Sequence, residues 1–141
     1  MLAADLKLPA ALAILYRNAG PVTRRKALTK ASLYLMQVNK RRIKANRSPD
    51  GSAMTERLDT EKGRMFRHLP DYLQRWLQAD LAQIGFAGRM GWVASNHQLG
   101  QSVRYPNYTA DLPVRELLGI NGEDAEQVKR IVLEHLMDGV Q

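Results

Sequence analysis

Acid–base or metal chemistry in this chain would rest on His68, His97 and His135, because its 141 residues include no cysteine. No second histidine stands three or four residues from any of them, the spacing that puts two ligands on one helix face. The carboxylates near the end of the chain complete no ligand set with them. The lack of cysteine also removes disulfides, thiolate nucleophiles and cysteine-ligated zinc. Ser48, Ser52, Ser95 and Ser102 lie in no nucleophile elbow. Gly85, Gly88 and Gly91 are spaced by threes, which matches neither the dinucleotide fingerprint nor the phosphate loop. The expectation is a protein that is not an enzyme, with no metal and no cofactor.

His97 is the most suggestively placed of the three. It lies at the end of a short helix predicted from Gly91 to Gln98, which Gly100 closes as a left-handed cap. A histidine there can bond the helix's free carbonyls and favour its negative end, so His97 and Gly100 are expected to be structural. An irregular arm follows, carrying Tyr105, Pro106, Tyr108 and Pro113. It ends in the compact unit Pro113-Val-Arg-Glu-Leu-Leu-Gly119.

The elements around this stretch follow from apolar spacing. Pro9 to Asn18 reads as a short apolar helix, buried, and stopped by Gly20-Pro21. Thr23 is a candidate cap for a second helix from about Arg24 to Asn46. Its stripe is Ala27, Leu28, Ala31, Leu35, Val38 and then Arg42 or Ile43. Residues 46–52 form a turn around Pro49 and Asp50-Gly51. Met54 to Thr60 reads as irregular, and Glu61 to Leu69 as a short helix ended by Pro70. Tyr72–Leu77 and Leu81–Phe86 read as a hairpin turning at Ala79-Asp80. Asn121 is a good N-cap and Asp124 sits where a capping-box acid belongs, so a last helix runs from Gly122 to Asp138. Its stripe is Ala125, Val128, Ile131, Val132 and Leu136. The sum is one α+β domain over residues 1–141: basic helices in 1–49, a small antiparallel sheet with a short central helix, and a C-terminal helix.

Charge is divided along the chain. The formal balance is +7 overall. Residues 1–49 hold eleven Lys and Arg against Asp5 alone, a balance of +10, and residues 50–141 hold ten against thirteen acids, a balance of −3. The second helix carries Arg24, Arg25, Lys26, Lys30, Lys40, Arg41, Arg42 and Lys44 without one acid. A charged face is often only a solvated one. Unopposed like charges at helix spacing, however, destabilise by tenths of a kcal/mol per pair, roughly 0.2–0.5. Those eight residues are therefore candidate contacts for phosphate or an acidic partner. Tyr34 is the lone aromatic among them, too few for a single-strand stacking platform, so any DNA binding would be non-specific. The longest apolar run, Leu8 to Tyr16, is too short to span a bilayer, which takes about 20 residues. Assembly in a cytoplasm, without a membrane partner, is expected.

Three separated strings carry a resemblance. They are Arg42-Ile43 with Ser48-Pro-Asp-Gly-Ser52; Ile84-Gly-Phe-Ala-Gly-Arg89 running on to His97-Gln-Leu-Gly100; and Arg104-Tyr-Pro106 with Pro113-Val-Arg-Glu-Leu-Leu-Gly119. With Met65-Phe66 between them, their order resembles the phage virion morphogenesis proteins, the tail completion S-type family of contractile-tailed phages. The likeness runs from about Leu12 to Leu136. Residues 107–112 lengthen the arm, and Met54 stands where that family would place an aromatic. The resemblance implies a structural protein of the virion's head–tail joint: a homo-oligomeric ring, sixfold to match the tail. Such a ring would cap the tail tube, touch tube or sheath proteins and dock to the head connector, with genomic DNA passing through its lumen. Tyr105, Pro106, Tyr108, Pro113 and Arg115 become candidate subunit or connector contacts. The rival expectation is a non-specific DNA-binding protein using the basic helix 24–47.

Overall fold

A computed structural model describes residues 2–5, 9–56, 66–78 and 81–138. Strand β1 (Leu2–Asp5) opens the chain, followed by helices α1 (Ala10–Asn18) and α2 (Pro21–Lys44). A 3-10 turn (Leu69–Tyr72) leads into β2 (Gln74–Gln78) and β3 (Leu81–Phe86). Helix α3 (Gly88–Leu99), the short strands β4 (Ser102–Arg104) and β5 (Thr109–Asp111), and helix α4 (Gly122–Asp138) complete it. The α+β architecture read from the sequence is the one observed.

The sheet is β1-β3-β2, with β3 central and antiparallel to both neighbours. Gln78 pairs with Leu81 at the closed end of the β2–β3 hairpin; its turn residues, Ala79 and Asp80, lie outside the described residues. Ala82, Ile84 and Phe86, each buried, alternate onto one face as a half-buried strand requires. Against the sheet lies α2, whose buried positions Ala27, Leu28, Ala31, Leu35 and Ile43 keep helical spacing. Helix α4 packs along α2 beside the sheet with Val128, Val132 and Leu136. Of the two residues offered for the end of the α2 stripe, Ile43 is fully buried and takes it.

Several boundaries differ from expectation. Helix α2 starts at Pro21, with Gly20 as N-cap and no side-chain cap bond, so Thr23 does not cap it. Proline's fixed φ suits the first helical position, where its missing N–H costs nothing. The helix stops at Lys44, because Asn46 turns left-handed at φ +54 and the Arg47 amide donates back to the Arg42 carbonyl (2.8 Å). Helix α1 buries only Leu12 and Tyr16, leaving Ile14 and Leu15 exposed, so it is a surface helix with one inner edge. Strand β1 was not expected: Leu-Ala-Ala-Asp has no β-branched or aromatic residue to announce it. The helix expected over Glu61 to Leu69 lies mostly outside the described residues. Its last residue, Leu69, opens the 3-10 turn, and Pro70 sits inside that turn rather than ending a helix.

Candidate assembly surfaces and the clasp behind them

Helix α3 begins three residues earlier than expected, at Gly88, and ends where Gly100 adopts φ +63, ψ +48. There the Gly100 amide donates to the His97 carbonyl (3.3 Å) and the Gln101 amide to the Asn96 carbonyl (3.0 Å). These two bonds close the helix in a Schellman turn. A Cβ on Gly100 would stand 2.7 Å from Val114 Cγ2 and 3.0 Å from its nitrogen. Backbone conformation and close approach therefore both demand glycine here.

The ring of His97 does not reach the helix's free carbonyls. Its Nδ1 faces the Arg115 guanidinium at 3.3 Å, and its plane meets Phe66 edge-on, centroids 4.6 Å apart. A guanidinium offers only donors, so Nδ1 accepts. Burial, and then the Arg115 charge, push the His97 pKa down to about 4. The ring is therefore neutral at physiological pH and adds no cation to the helix end.

Arg115 itself is buried at 5% exposure. Its Nε donates to the Thr55 carbonyl (2.7 Å), and Nη2 donates to that of Glu56 (3.2 Å). The Arg115 amide donates to the His97 carbonyl (2.8 Å). Among the expected subunit or connector contacts, Arg115 is thus the one that turns inward, fastening residues 55–56 to the end of α3.

Two residues that the sequence did not single out complete the clasp. Gln98 Oε1 accepts from the amides of Leu117 (2.7 Å) and Leu118 (3.1 Å), and its Nε2 donates to the Leu118 carbonyl (3.2 Å). Asn39, fully buried, accepts from the Gly119 amide (3.1 Å) and donates to the Leu35 carbonyl (2.8 Å). Asn39 was findable: it stands four residues after Leu35, a polar side chain on an apolar stripe. Gln98 gives no such signal, since its partners are backbone amides twenty residues away.

The next tie is charged. Asp124 and Asn121 form the reciprocal capping box, with the Asp124 amide donating to Asn121 Oδ1 (2.8 Å) and the Asn121 amide to Asp124 Oδ2 (3.1 Å). The other carboxylate oxygen of Asp124 takes Arg42 Nη2 at 2.5 Å, with side chains 2% and 14% exposed respectively. Asn121 Nδ2 also donates to the Pro49 carbonyl (2.8 Å). Arg42 is therefore consumed inside the molecule and is withdrawn from the expected outer contacts.

The remaining basic residues divide by position. Lys26, Lys30, Arg41 and Lys44 are exposed and Lys40 is half-buried, all on the side of α2 away from its core stripe; exposed Arg25 sits at the edge of that strip. Arg24 is half-buried, its guanidinium 5.9 Å above the Tyr16 ring. The arm, expected to be irregular, is a β-hairpin. Val103 pairs with Ala110, and the Tyr105 amide donates to the Tyr108 carbonyl (2.7 Å). Tyr105 and Tyr108 stack at its tip, centroids 4.8 Å apart and 23° between planes. Both tyrosines and Pro106 are exposed, and Pro113 is half-buried. No group of three or more His, Asp or Glu side chains that could hold a metal occurs among the described residues.

Among the described residues these placements leave a tied inner network and two outward faces. The profile of the phage virion morphogenesis family matches residues 5–137. The chain belongs to that family. It is also 30% identical, over 135 residues, to the tail completion protein S of Escherichia phage P2, covering 86% of this chain and 90% of that one. No solved structure matches it. The strings around His97, Gly100 and Pro113–Gly119 lie within the matched residues, and in this member they are parts of the clasp. Among the described residues no helix is long and apolar enough to cross a membrane.

Proposed function

We propose that this virion morphogenesis protein, acting as a single domain, completes the phage tail as a non-enzymatic building block at the head–tail joint. Copies form a homo-oligomeric ring, sixfold to match the tail, which caps the tail tube, docks to the head connector and leaves a lumen for the genome. The role in tail completion rests on the likeness to the P2 protein of that name. The ring rests on one observation. Large apolar side chains stay exposed in several places, among them Trp92 and Leu99, seven residues apart on α3, Val114 beside Gly100, and the stacked tyrosines of the hairpin tip. Exposed apolar clusters of this kind mark protein contacts, and tyrosine and tryptophan are favoured interface anchors. A contact between one of these places on one copy and a different part of the next is heterologous and closes a ring if the rotation allows.

The tyrosine tip is the element we assign to contact with a neighbour. The hairpin is two-stranded, an arrangement only marginally stable by itself. Replacing Tyr105 and Tyr108 by serine tests this: light scattering should show the oligomer shifted to monomer while the circular dichroism spectrum is retained. An unchanged oligomer would remove the hairpin from the interface, and a monomeric parent protein at every concentration would remove the ring.

A further inference from the structure

The outer side of α2 presents cations that the fold itself leaves unpaired. At helical spacing Lys26, Lys30, Lys40, Arg41 and Lys44 fall within an arc of about 100°, opposite Ala27, Ala31 and Leu35, and span about 27 Å. Among the described residues none of these five forms an ion pair. Glu123 shares a hollow with Arg41 without closing a pair with it. The contrast with Arg42, one residue from Arg41 and half-buried against Asp124, is sharp: where the fold needs a cation neutralised, it supplies the acid.

The composition of the strip selects its partner. Protein interfaces deplete lysine at their centres and concentrate aromatic residues there; this strip is lysine-rich, with only Gln37 and half-buried Leu33 between its two basic groups. A helix lying on anionic lipid needs its apolar face free, and that face of α2 is in the core. What remains is a linear polyanion met by point charges. We propose that the outer strip of α2 binds the phosphate backbone of double-stranded DNA, without sequence preference, through Lys26, Lys30, Lys40, Arg41 and Lys44. The strip deepens the head–tail reading by giving the genome a contact surface, yet it needs no ring, so either idea can fail alone.

Counterion release makes the claim quantitative. Five phosphate contacts give a slope of log K against log salt of about −4.5, a loss of about 500-fold in affinity between 50 and 200 mM salt. Fluorescence anisotropy with two short DNA duplexes of unrelated sequence should return that slope per bound chain for both. Neutralising two strip residues (K30Q/R41Q) should reduce the slope to about −2.7, a loss of about 40-fold over the same range. Neutralising two exposed arginines elsewhere (R89Q/R104Q) should leave the slope as it was. Circular dichroism of both variants checks the fold. Equal losses in the two variants would reduce the effect to net charge and overturn the proposal. So would a K30Q/R41Q protein that binds DNA normally but no longer self-associates, which would make the strip a contact between copies. Tighter binding to anionic lipid vesicles than to duplex DNA would also overturn it.

Discussion

Residues 102–111 and 112–124 are neighbours in sequence and opposites in physics. The first segment is a hairpin whose tip tyrosines satisfy each other and face solvent. The second has few regular bonds of its own, and is held by groups from elsewhere: the His97 carbonyl and the Gln98 side chain of α3, and the Asn39 and Arg42 side chains of α2. An irregular segment must find partners for its backbone groups, and here the side-chain amides of Gln98 and Asn39 and the His97 carbonyl supply them. The lesson is that regularity and anchorage are separate properties. The regular piece is the one free to meet a partner, and the irregular piece is fixed.

Breaking the fixed segment should cost most. Asp124→Ala strands the Arg42 charge and opens the capping box, and should destabilise by about 3–5 kcal/mol in urea unfolding. Asp124→Asn, which keeps an acceptor, should cost less. An alanine cost below about 1 kcal/mol would mean that water replaces the pair. Arg115→Met removes the donors to Thr55 and Glu56 and should cost about 3 kcal/mol. Hydrogen exchange should quicken at residues 53–56 before the rest; uniform quickening would show that the guanidinium supports the whole core instead. Gly100→Ala forces a side chain into left-handed backbone against Val114, at a cost of about 2 kcal/mol.

A smaller effect depends on pH. His97 has a folded pKa of about 4, below its ordinary value of 6.5. The unfolded chain therefore takes the proton first, and the contribution of the neutral ring, full above pH 6.5, declines as pH falls toward 4. The stability difference between the parent protein and His97→Gln should narrow across that window and stay constant above it; a difference that widens on acidification would mean that the charged ring is the favoured form. Least of all, Tyr105→Ser with Tyr108→Ser should change stability by under about 0.5 kcal/mol, against a large loss of assembly. A stability cost comparable with that of Arg115→Met would erase the contrast between the two segments.

What the sequence disclosed divides along the same line. Local rules were sufficient where causes are local: the Gly100 turn, the Asn121–Asp124 box, the α4 stripe and the β2–β3 pairing all follow from spacing and residue type. They failed where a partner is distant. Nothing near Arg115 announces the carbonyls of Thr55 and Glu56, sixty residues back. Nothing near Arg42 announces Asp124, eighty-two residues on. Arg115 therefore read as a surface charge, the ordinary place for arginine, and Arg42 as either a surface charge or the end of the α2 stripe. The arm read as irregular because its strands are three residues each, too short for alternation to register.

Where the chain sits in the particle, and in how many copies, bears most directly on the proposed role. Electron microscopy of purified phage tails carrying a labelled copy of this chain decides both. The expected image is a closed ring of label, sixfold, at the head-proximal end of the tail tube. Label absent from the finished particle, or found as a single copy at the opposite end, would contradict it.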